Sequence, residues 1–231
     1  RYHCSFVVEA PDQALPPTDR DVGIDLGLAH FAVLSNGTKV DAPRIARKAA
    51  AKLRRAQKEL ARRQKGSARR ERSRRKVAKC HARVGDTRRD WLHKLSTTIV
   101  RENQAGYVED MAVSGLARTR LARSVHDAGW STFIAMLEYK ARRRGRTFAR
   151  VDRWFPSTRA CSVCGAIGEA KALHVRHWAC PCGAVHDRDV NAACNILAAG
   201  RADSPTLVEL VSAGTPVPQP AVKREPAGST A

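Results

Sequence analysis

The chain has 231 residues, the size of one domain with at most a small insertion, and its 43% hydrophobic content is enough for a packed core, which excludes wholesale disorder. Lys and Arg number 42 against 22 Asp and Glu, a formal charge of +20 with a pI near 10.6, so a polyanionic partner is expected, nucleic acid before membrane. No apolar run approaches the roughly 18 residues that span a bilayer, no signal peptide is visible, and four of the seven Cys cluster as metal ligands would in a reducing compartment; a membrane or secreted protein is excluded and a cytoplasmic one expected.

The chain opens Arg1-Tyr2-His3-Cys4 without a Met, which points to a native start further upstream. Val22–Leu28 reads as an apolar strand with Asp25 at its centre, between Gly23 and Gly27. Ala29–Leu34 is predicted as the second strand, Ser35-Asn36-Gly37 as a turn and Thr38–Asp41 as the third strand. Residues 44–101 then hold 22 Lys/Arg and only 4 Asp/Glu, so nearly all the net charge belongs to one element. That element has few helix breakers and predicts a helical hairpin: a helix over 44–65, a turn at Gly66-Ser67, and a helix over 68–102 with an interruption expected at Gly85-Asp86.

Val77, His81, Val84, Trp91, Leu95 and Ile99 recur at helical spacing and predict an apolar seam, faced by Ala49, Leu53, Ala56 and Leu60. Two readings stand for the charge: a solvated face, or a footprint on phosphates. The paired arginines Arg54-Arg55, Arg62-Arg63, Arg69-Arg70 and Arg74-Arg75 have few acidic neighbours, whereas stable solvated helices mix signs. Guanidinium forks suit phosphate oxygens, and a helix of about 22 residues, roughly 33 Å long, tracks about one turn of a duplex. Contacts to the backbone rather than to bases are expected.

Further on, Gly106–Val113 is predicted as a strand, Trp130–Arg144 as a helix, Arg146–Arg153 as a strand and Asp189–Ala199 as a helix. Strands interspersed with helices predict a mixed α/β fold. From Ser204 on there are five Pro and no aromatic residue, which predicts a disordered tail. Cys161-x-x-Cys164-Gly and Cys180-x-Cys182-Gly, fifteen residues apart, have the look of a zinc ribbon, a closed four-thiolate Zn2+ site with a structural role. The second pair is one residue short of Cys-x-x-Cys, so His174, His177 or His186 are alternative ligands. Cys4, Cys80 and Cys194 are expected to play no part.

Three acidic positions stand at element centres or ends: Asp25, Glu109 after Tyr107-Val108, and Asp187 with Asp189 at the head of the last helix. Singly, each has a bland reading as a hydrogen-bonded structural residue or an N-cap. Together, with a basic hairpin and a thiolate cluster, they suit a two-metal phosphodiester site, where hard oxygen ligands hold cations on either side of a scissile phosphate.

The order of features carries a resemblance. Gly-Ile-Asp25-Leu-Gly, a basic hairpin ending in Trp91-Leu92-His93-Lys94-Leu95-Ser96, Val108-Glu109-Asp110-Met111, Trp154-Phe155-Pro156-Ser157, Cys161-x-x-Cys164-Gly, and His186-Asp187-Arg188-Asp189-Val190-Asn191-Ala192-Ala193 follow one another over residues 20–200. This arrangement resembles the TnpB family, transposon-encoded, RNA-guided DNA endonucleases with a RuvC nuclease domain, also called transposases. The resemblance implies an RNase H-like α/β fold, with a zinc ribbon inserted before the last helix. It implies Asp25, Glu109 and Asp189 as catalytic ligands of Mg2+ or Mn2+, Asp187 in a supporting place beside them, and DNA and a guide RNA as partners.

The same resemblance divides the chain into 1–20, a remnant of an N-terminal barrel with His3–Glu9 as its last strand; 21–156, the nuclease core with the hairpin 44–102; 157–188, the ribbon; 189–203, the last helix; and 204–231, the tail. The resemblance implies a longer N-terminal recognition region, of which only about twenty residues would stand here as in a truncated copy, and two functions are therefore expected side by side: a metal-dependent endonuclease, and a non-cleaving nucleic-acid-binding fragment.

Overall fold

The computed structural model describes residues 4, 6–9, 11–172 and 174–203; the tail predicted for 204–231 lies outside them. Five strands form one sheet in the order β3-β2-β1-β4-β5. β1 (Asp21–Leu26), β2 (His30–Leu34) and β3 (Lys39–Asp41) make an antiparallel meander, with Asp25 opposite Val33. β4 (Ala105–Glu109) lies parallel to β1 with Ile24 opposite Val108, and β5 (Thr147–Val151) lies parallel to β4 with Glu109 opposite Val151. Parallel neighbours need long crossovers, and helices supply them. Before β4 come α1 (Ile45–Ala61) and α2 (Ala68–Glu102); before β5 come α3 (Val113–Leu116), α4 (Ala122–Ala128) and α5 (Trp130–Arg143). A small hairpin of β6 (His177–Ala179) and β7 (Val185–Asp187) precedes the last helix, α6 (Arg188–Asp203).

Side chains alternate between the faces of a strand, and here each face meets a different helix layer. Val22, Ile24 and Leu26 on β1 and Val108 on β4 bury against α2 and α5, joining Leu92, Ile99, Phe133 and Leu137. Phe31 sits edge-on to Trp91 (4.7 Å between ring centroids) and to Phe133 (5.0 Å), locking both helices to β2. Gly23 and Asp25, with Tyr107 and Glu109, point to the opposite face, which α6 covers: Ile196 packs there with Ala105, Tyr107 and Val151. That approach is very close. A Cβ on Gly23 would stand 2.1 Å from the Ala193 carbonyl oxygen, and one on Gly200 would stand 2.2 Å from the Tyr107 ring.

The hairpin forms with corrections. Gly66, at φ 82, makes the turn, and Ser67 caps α2 by accepting the Arg70 amide at 3.2 Å. α1 ends at Ala61 rather than at 65, which makes it about 25 Å long. α2 runs 35 residues without the interruption expected at Gly85-Asp86. One Gly costs a helix about 1 kcal/mol, and α2 is held on both sides of it, by α1 and by the sheet. The seam also drifts around α2. Val77 and Val84 are half-buried and His81 is exposed, whereas Leu92, Ser96, Ile99 and Val100 are buried, because the helix changes partner from α1 to α5 and the sheet. Ala49, Leu53, Ala56 and Leu60 on α1 are half-buried, as a facing stripe should be.

The strand predicted over Gly106–Val113 stops at Glu109, since Asp110 turns to pair with Arg153 and Val113 opens α3. α4 was not expected. Phe6–Glu9, within the segment expected as a strand, has no regular structure. Among the described residues no helix is long and apolar enough to cross a membrane. Gly23→Ala should destabilise the protein by about 3 kcal/mol, an overpacking penalty, because both atoms nearest the new methyl are backbone; the loss is read as a lower urea midpoint at unchanged m-value.

Candidate active site and metal centre

Three elements bring the predicted acids together. Asp25 lies on the α6-facing side of β1, and the β1–β4 register (Asp21 opposite Ala105 through Ile24 opposite Val108) carries on to set it beside Glu109 on the neighbouring strand. Asp189 stands one helical turn before Ala193, the residue against which Gly23 packs, so the start of α6 hangs over Asp25. The electrostatics register the convergence. Burial, then the charges of Asp189 and Glu109, push the Asp25 carboxyl up to about 7 against an opposing pull from Arg188. Burial also raises Glu109, opposed by a 3.3 Å hydrogen bond donated by the Ser157 hydroxyl and reinforced by Asp110.

Asp187 has a different job. It accepts the backbone amides of Asp189 and Val190, both at 3.1 Å, and so caps α6; its carboxylate also pairs with Lys39 at 2.5 Å and His177 at 3.6 Å. Despite a burial cost, the Lys39 ammonium and those amides hold it below the usual carboxylate range. The N-cap reading therefore fits Asp187, while Asp189, two residues on within the first turn of α6, acts by its charge on Asp25. Asp189 is not left bare: Arg176 reaches in from the Cys-rich segment with one guanidinium nitrogen 3.2 Å from both of its oxygens.

The four sulfurs of Cys161, Cys164, Cys180 and Cys182 lie within 4.8 Å of one another, with Cys161 and Cys182 at 3.8 Å and Cys164 and Cys180 at 3.7 Å. Four thiolates about 2.3 Å from one tetrahedral zinc stand roughly 3.8 Å apart, so the donor set fits such an ion. The short second pair does not spoil the geometry. Gly165 (φ 74) donates to the Cys161 carbonyl at 2.8 Å, and Gly183 (φ 90) donates to the Cys180 carbonyl at 2.9 Å, so both knuckles turn back alike. Among the described residues no histidine joins the cluster: His186 stands 3.0 Å from the Cys161 sulfur as its hydrogen-bond partner, and His177 faces Asp187. Burial pushes the Cys161 thiol up, but the Cys164 and Val163 amides, His186 and Cys180 together hold it at about 5, in thiolate form at neutral pH. Cys4, Cys80 and Cys194 lie outside this cluster.

Sequence reasoning missed the residues that join the two centres. Asn191 and Asn195, both buried and one turn apart on α6, donate to the Ala160 carbonyl at 2.8 Å; Asn195 also holds the Ser157 carbonyl at 2.8 Å, and Asn191 accepts the Ser162 amide at 2.9 Å. The loop bearing Cys161 is thus stapled to the helix bearing Asp189, and the same loop clamps Glu109 through Ser157. Two Asn at an i, i+4 spacing in the otherwise apolar stretch 190–199 of α6 were the available signal. Trp154, in the same loop, is 84% exposed.

The eight predicted arginines divide. Arg70 is structural, since its guanidinium donates to the Leu60 and Arg63 carbonyls at the end of α1. Arg74 and Arg75 pair with Glu71, and Arg63 approaches Glu59 at 3.9 Å. Arg54, Arg55, Arg62 and Arg69 are left facing solvent with no side-chain partner among the described residues.

The chain is similar to known proteins along most of its length. The OrfB_IS605 family profile, described as "Probable transposase", matches residues 5–120, and the profile "Cas12f1-like, TNB domain" matches residues 130–196. A Streptomyces pristinaespiralis protein named "Putative RNA-guided DNA endonuclease" is 45% identical over 205 residues, 88% of this chain and 51% of its own length. The Escherichia coli protein "Putative RNA-guided DNA endonuclease InsQ" is 33% identical over 88% of this chain and 54% of its own length. The chain spans about half the length of these curated relatives. In fold it is similar to a chain from the "Cryo-EM structure of the Cas12f1-sgRNA-target DNA complex", with a TM-score of 0.58 at 17% identity over 82% of this chain and 40% of that one.

Two predictions follow from the electrostatics and the thiols. Folded Asp25 titrates near 7 against about 3.9 unfolded, so its protonated form contributes stability below pH 4 that is lost as pH rises through 7, on the order of 4 kcal/mol without metal. Asp25→Asn should therefore raise the thermal midpoint in EDTA at pH 8 and leave it nearly unchanged at pH 4. Cys164→Ser should lower bound zinc below one per chain and open residues 157–188 to protease, because metal binding and local folding are coupled; a zinc-free segment as resistant as the parent would overturn the metal assignment.

Proposed function

The chain belongs to the OrfB_IS605 transposase family, the TnpB group, and from that membership we propose that it carries the nuclease centre of an RNA-guided DNA endonuclease of a transposable element. The reading is carried by the convergence of Asp25, Glu109 and Asp189 from β1, β4 and α6, where burial of Asp25 and then the charges of Asp189 and Glu109 hold its carboxyl near 7. Three antiparallel strands extended by two parallel ones, with helices on both faces, support an RNase H-like, RuvC-type core. Half-buried carboxylates crowded in this way are a hard-oxygen donor set suited to Mg2+ or Mn2+. Those ions would supply charge neutralisation at the scissile phosphate and a water acidic enough to attack near neutral pH.

The protein's own residues prepare that chemistry. Ser157 orients Glu109, Asp187 fixes the first turn of α6, and Arg176 balances the Asp189 charge. The thiolate cluster, read as a zinc site, braces the loop that Asn191 and Asn195 staple to α6, and takes no part in bond cleavage. Arg54, Arg55, Arg62 and Arg69 are the hairpin's contacts to phosphates of DNA, RNA or their hybrid. DNA as substrate and a guide RNA as partner follow from the relatives' names, and with them a place in the bacterial cytoplasm.

The test uses the purified chain with Mg2+ and a DNA substrate, with and without a guide RNA. Asp25→Ala should lower cleavage by at least about 1,000-fold, as loss of a group that acts on the reacting phosphate does, while duplex binding in EDTA stays within twofold. Salt-sensitive binding without cleavage under every condition would favour the non-cleaving reading, which the unpaired hairpin arginines alone would explain.

A further inference from the structure

A cavity of about 310 Å3 opens where the start of the hairpin meets the sheet, and its lining includes none of Arg54, Arg55, Arg62 and Arg69. Four arginines line it: Arg44 and Arg47 at the start of α1, and Arg120 and Arg123 from the segment around α4. Among the described residues none of the four has an ion pair or a side-chain hydrogen bond. The one carboxylate in the wall, Asp127, is already committed. It accepts the Ala46 amide at 2.8 Å and the Arg47 amide at 3.2 Å, and pairs with Arg88 at 3.1 Å. The cavity is therefore a concentration of positive charge with its counter-charge turned away, and the α1 amides are not available to explain it.

The backbone adds a second observation. Arg44 sits at φ 49, ψ 45 and is the one non-glycine residue with positive φ among the described residues. Left-handed backbone at a long side chain is strained, and such outliers gather where a side chain must be aimed at a ligand. The cavity's position supplies the third. Gly27 lines it two residues after Asp25, at most about 7 Å along the chain. That is on the order of one or two nucleotide steps along a strand.

We propose that this four-arginine cavity is a phosphate subsite that grips a phosphodiester of the nucleic-acid strand one or two steps from the bond held at Asp25. The proposal rests on the nuclease reading for its second half only. Paired guanidinium forks recognise phosphate oxygens in two-point contacts, and a volume near the lower end for small-ligand pockets admits one sugar-phosphate unit rather than a duplex. The subsite reads no base, so it sets the strand's register at the carboxylates without sequence preference.

Binding is measured on the full chain in EDTA, where cleavage plays no part, with a fluorescent 12-nucleotide single-stranded DNA and with inorganic pyrophosphate as competitor. Arg120→Gln with Arg123→Gln should weaken strand binding 5- to 20-fold near 0.15 M salt and flatten the salt dependence by about one to two counterions. Arg118→Gln, on the same segment outside the cavity, is the control and should change neither quantity. Arg44→Gly should weaken binding while raising the thermal midpoint, since glycine suits that φ; binding lost from a better-folded protein cannot be blamed on unfolding.

Parental affinity and salt slope in both the double variant and Arg44→Gly would overturn the proposal. So would pyrophosphate binding that depends on these arginines while strand binding does not, which would mark a site for free polyphosphate. Strand binding that behaves as expected with no cleavage on adding Mg2+ would remove the nuclease reading and leave the subsite standing; the reverse pattern would do the opposite.

Discussion

The contact on which the rest depends is the backbone-to-backbone approach of α6 to β1. Gly23 leaves no room between the strand and the carbonyl of Ala193, and Gly200 leaves none beside the Tyr107 ring. Only where two side chains are absent can a helix sit this low on a sheet. The consequence reaches one turn further along α6, where Asp189 is lowered toward Asp25 and Glu109. A larger residue at position 23 would lift the helix and part the carboxylates, so a packing constraint between two apolar surfaces decides whether the acids meet.

That arrangement costs burial of a carboxyl and then repulsion between like charges, both visible in the Asp25 carboxyl held near 7. The surrounding structure holds the acids in place rather than letting them separate. Asp187 caps the helix, Ser157 fixes Glu109, and Asn191 and Asn195 tie the loop of the Cys-rich segment to α6. Arg176, from that same segment, faces Asp189. The thiolate cluster and the carboxylate cluster are thus one mechanical unit, which is why loosening the first should reach the second.

α2 joins this unit to the basic hairpin. Its first half is held by α1 and is covered in charge; its second half enters the core through Leu92, Ile99 and Val100. Lys140 of α5 fastens the transition by donating to the His93 carbonyl, the Ser96 hydroxyl and the Thr97 hydroxyl, each at 2.7 Å. A continuous helix transmits position rigidly, so the charged arm is held at a set angle to the sheet without a hinge at Gly85.

Local pattern was enough to read much of this from the sequence. Strand and helix periodicity located β1, α2 and α5 to within a residue or two, and two Cys-x(-x)-Cys-Gly pairs marked the thiolate cluster, because ligand spacing and turn chemistry are short-range. Asp25 and Glu109 were legible as charges out of place in apolar strands. What the chain's linear order could not reveal was any contact set by distant partners. Asp127 caps α1 from eighty residues away. Arg70 is taken out of the charged face by the end of α1, the drift of the α2 seam leaves His81 exposed, and four arginines from two separate segments close on one cavity. Sequence by itself determined which residues carry charge, thiol and turn; only the tertiary structure decided which charges are paired and which remain free, because pairing depends on distance in space and not on separation along the chain.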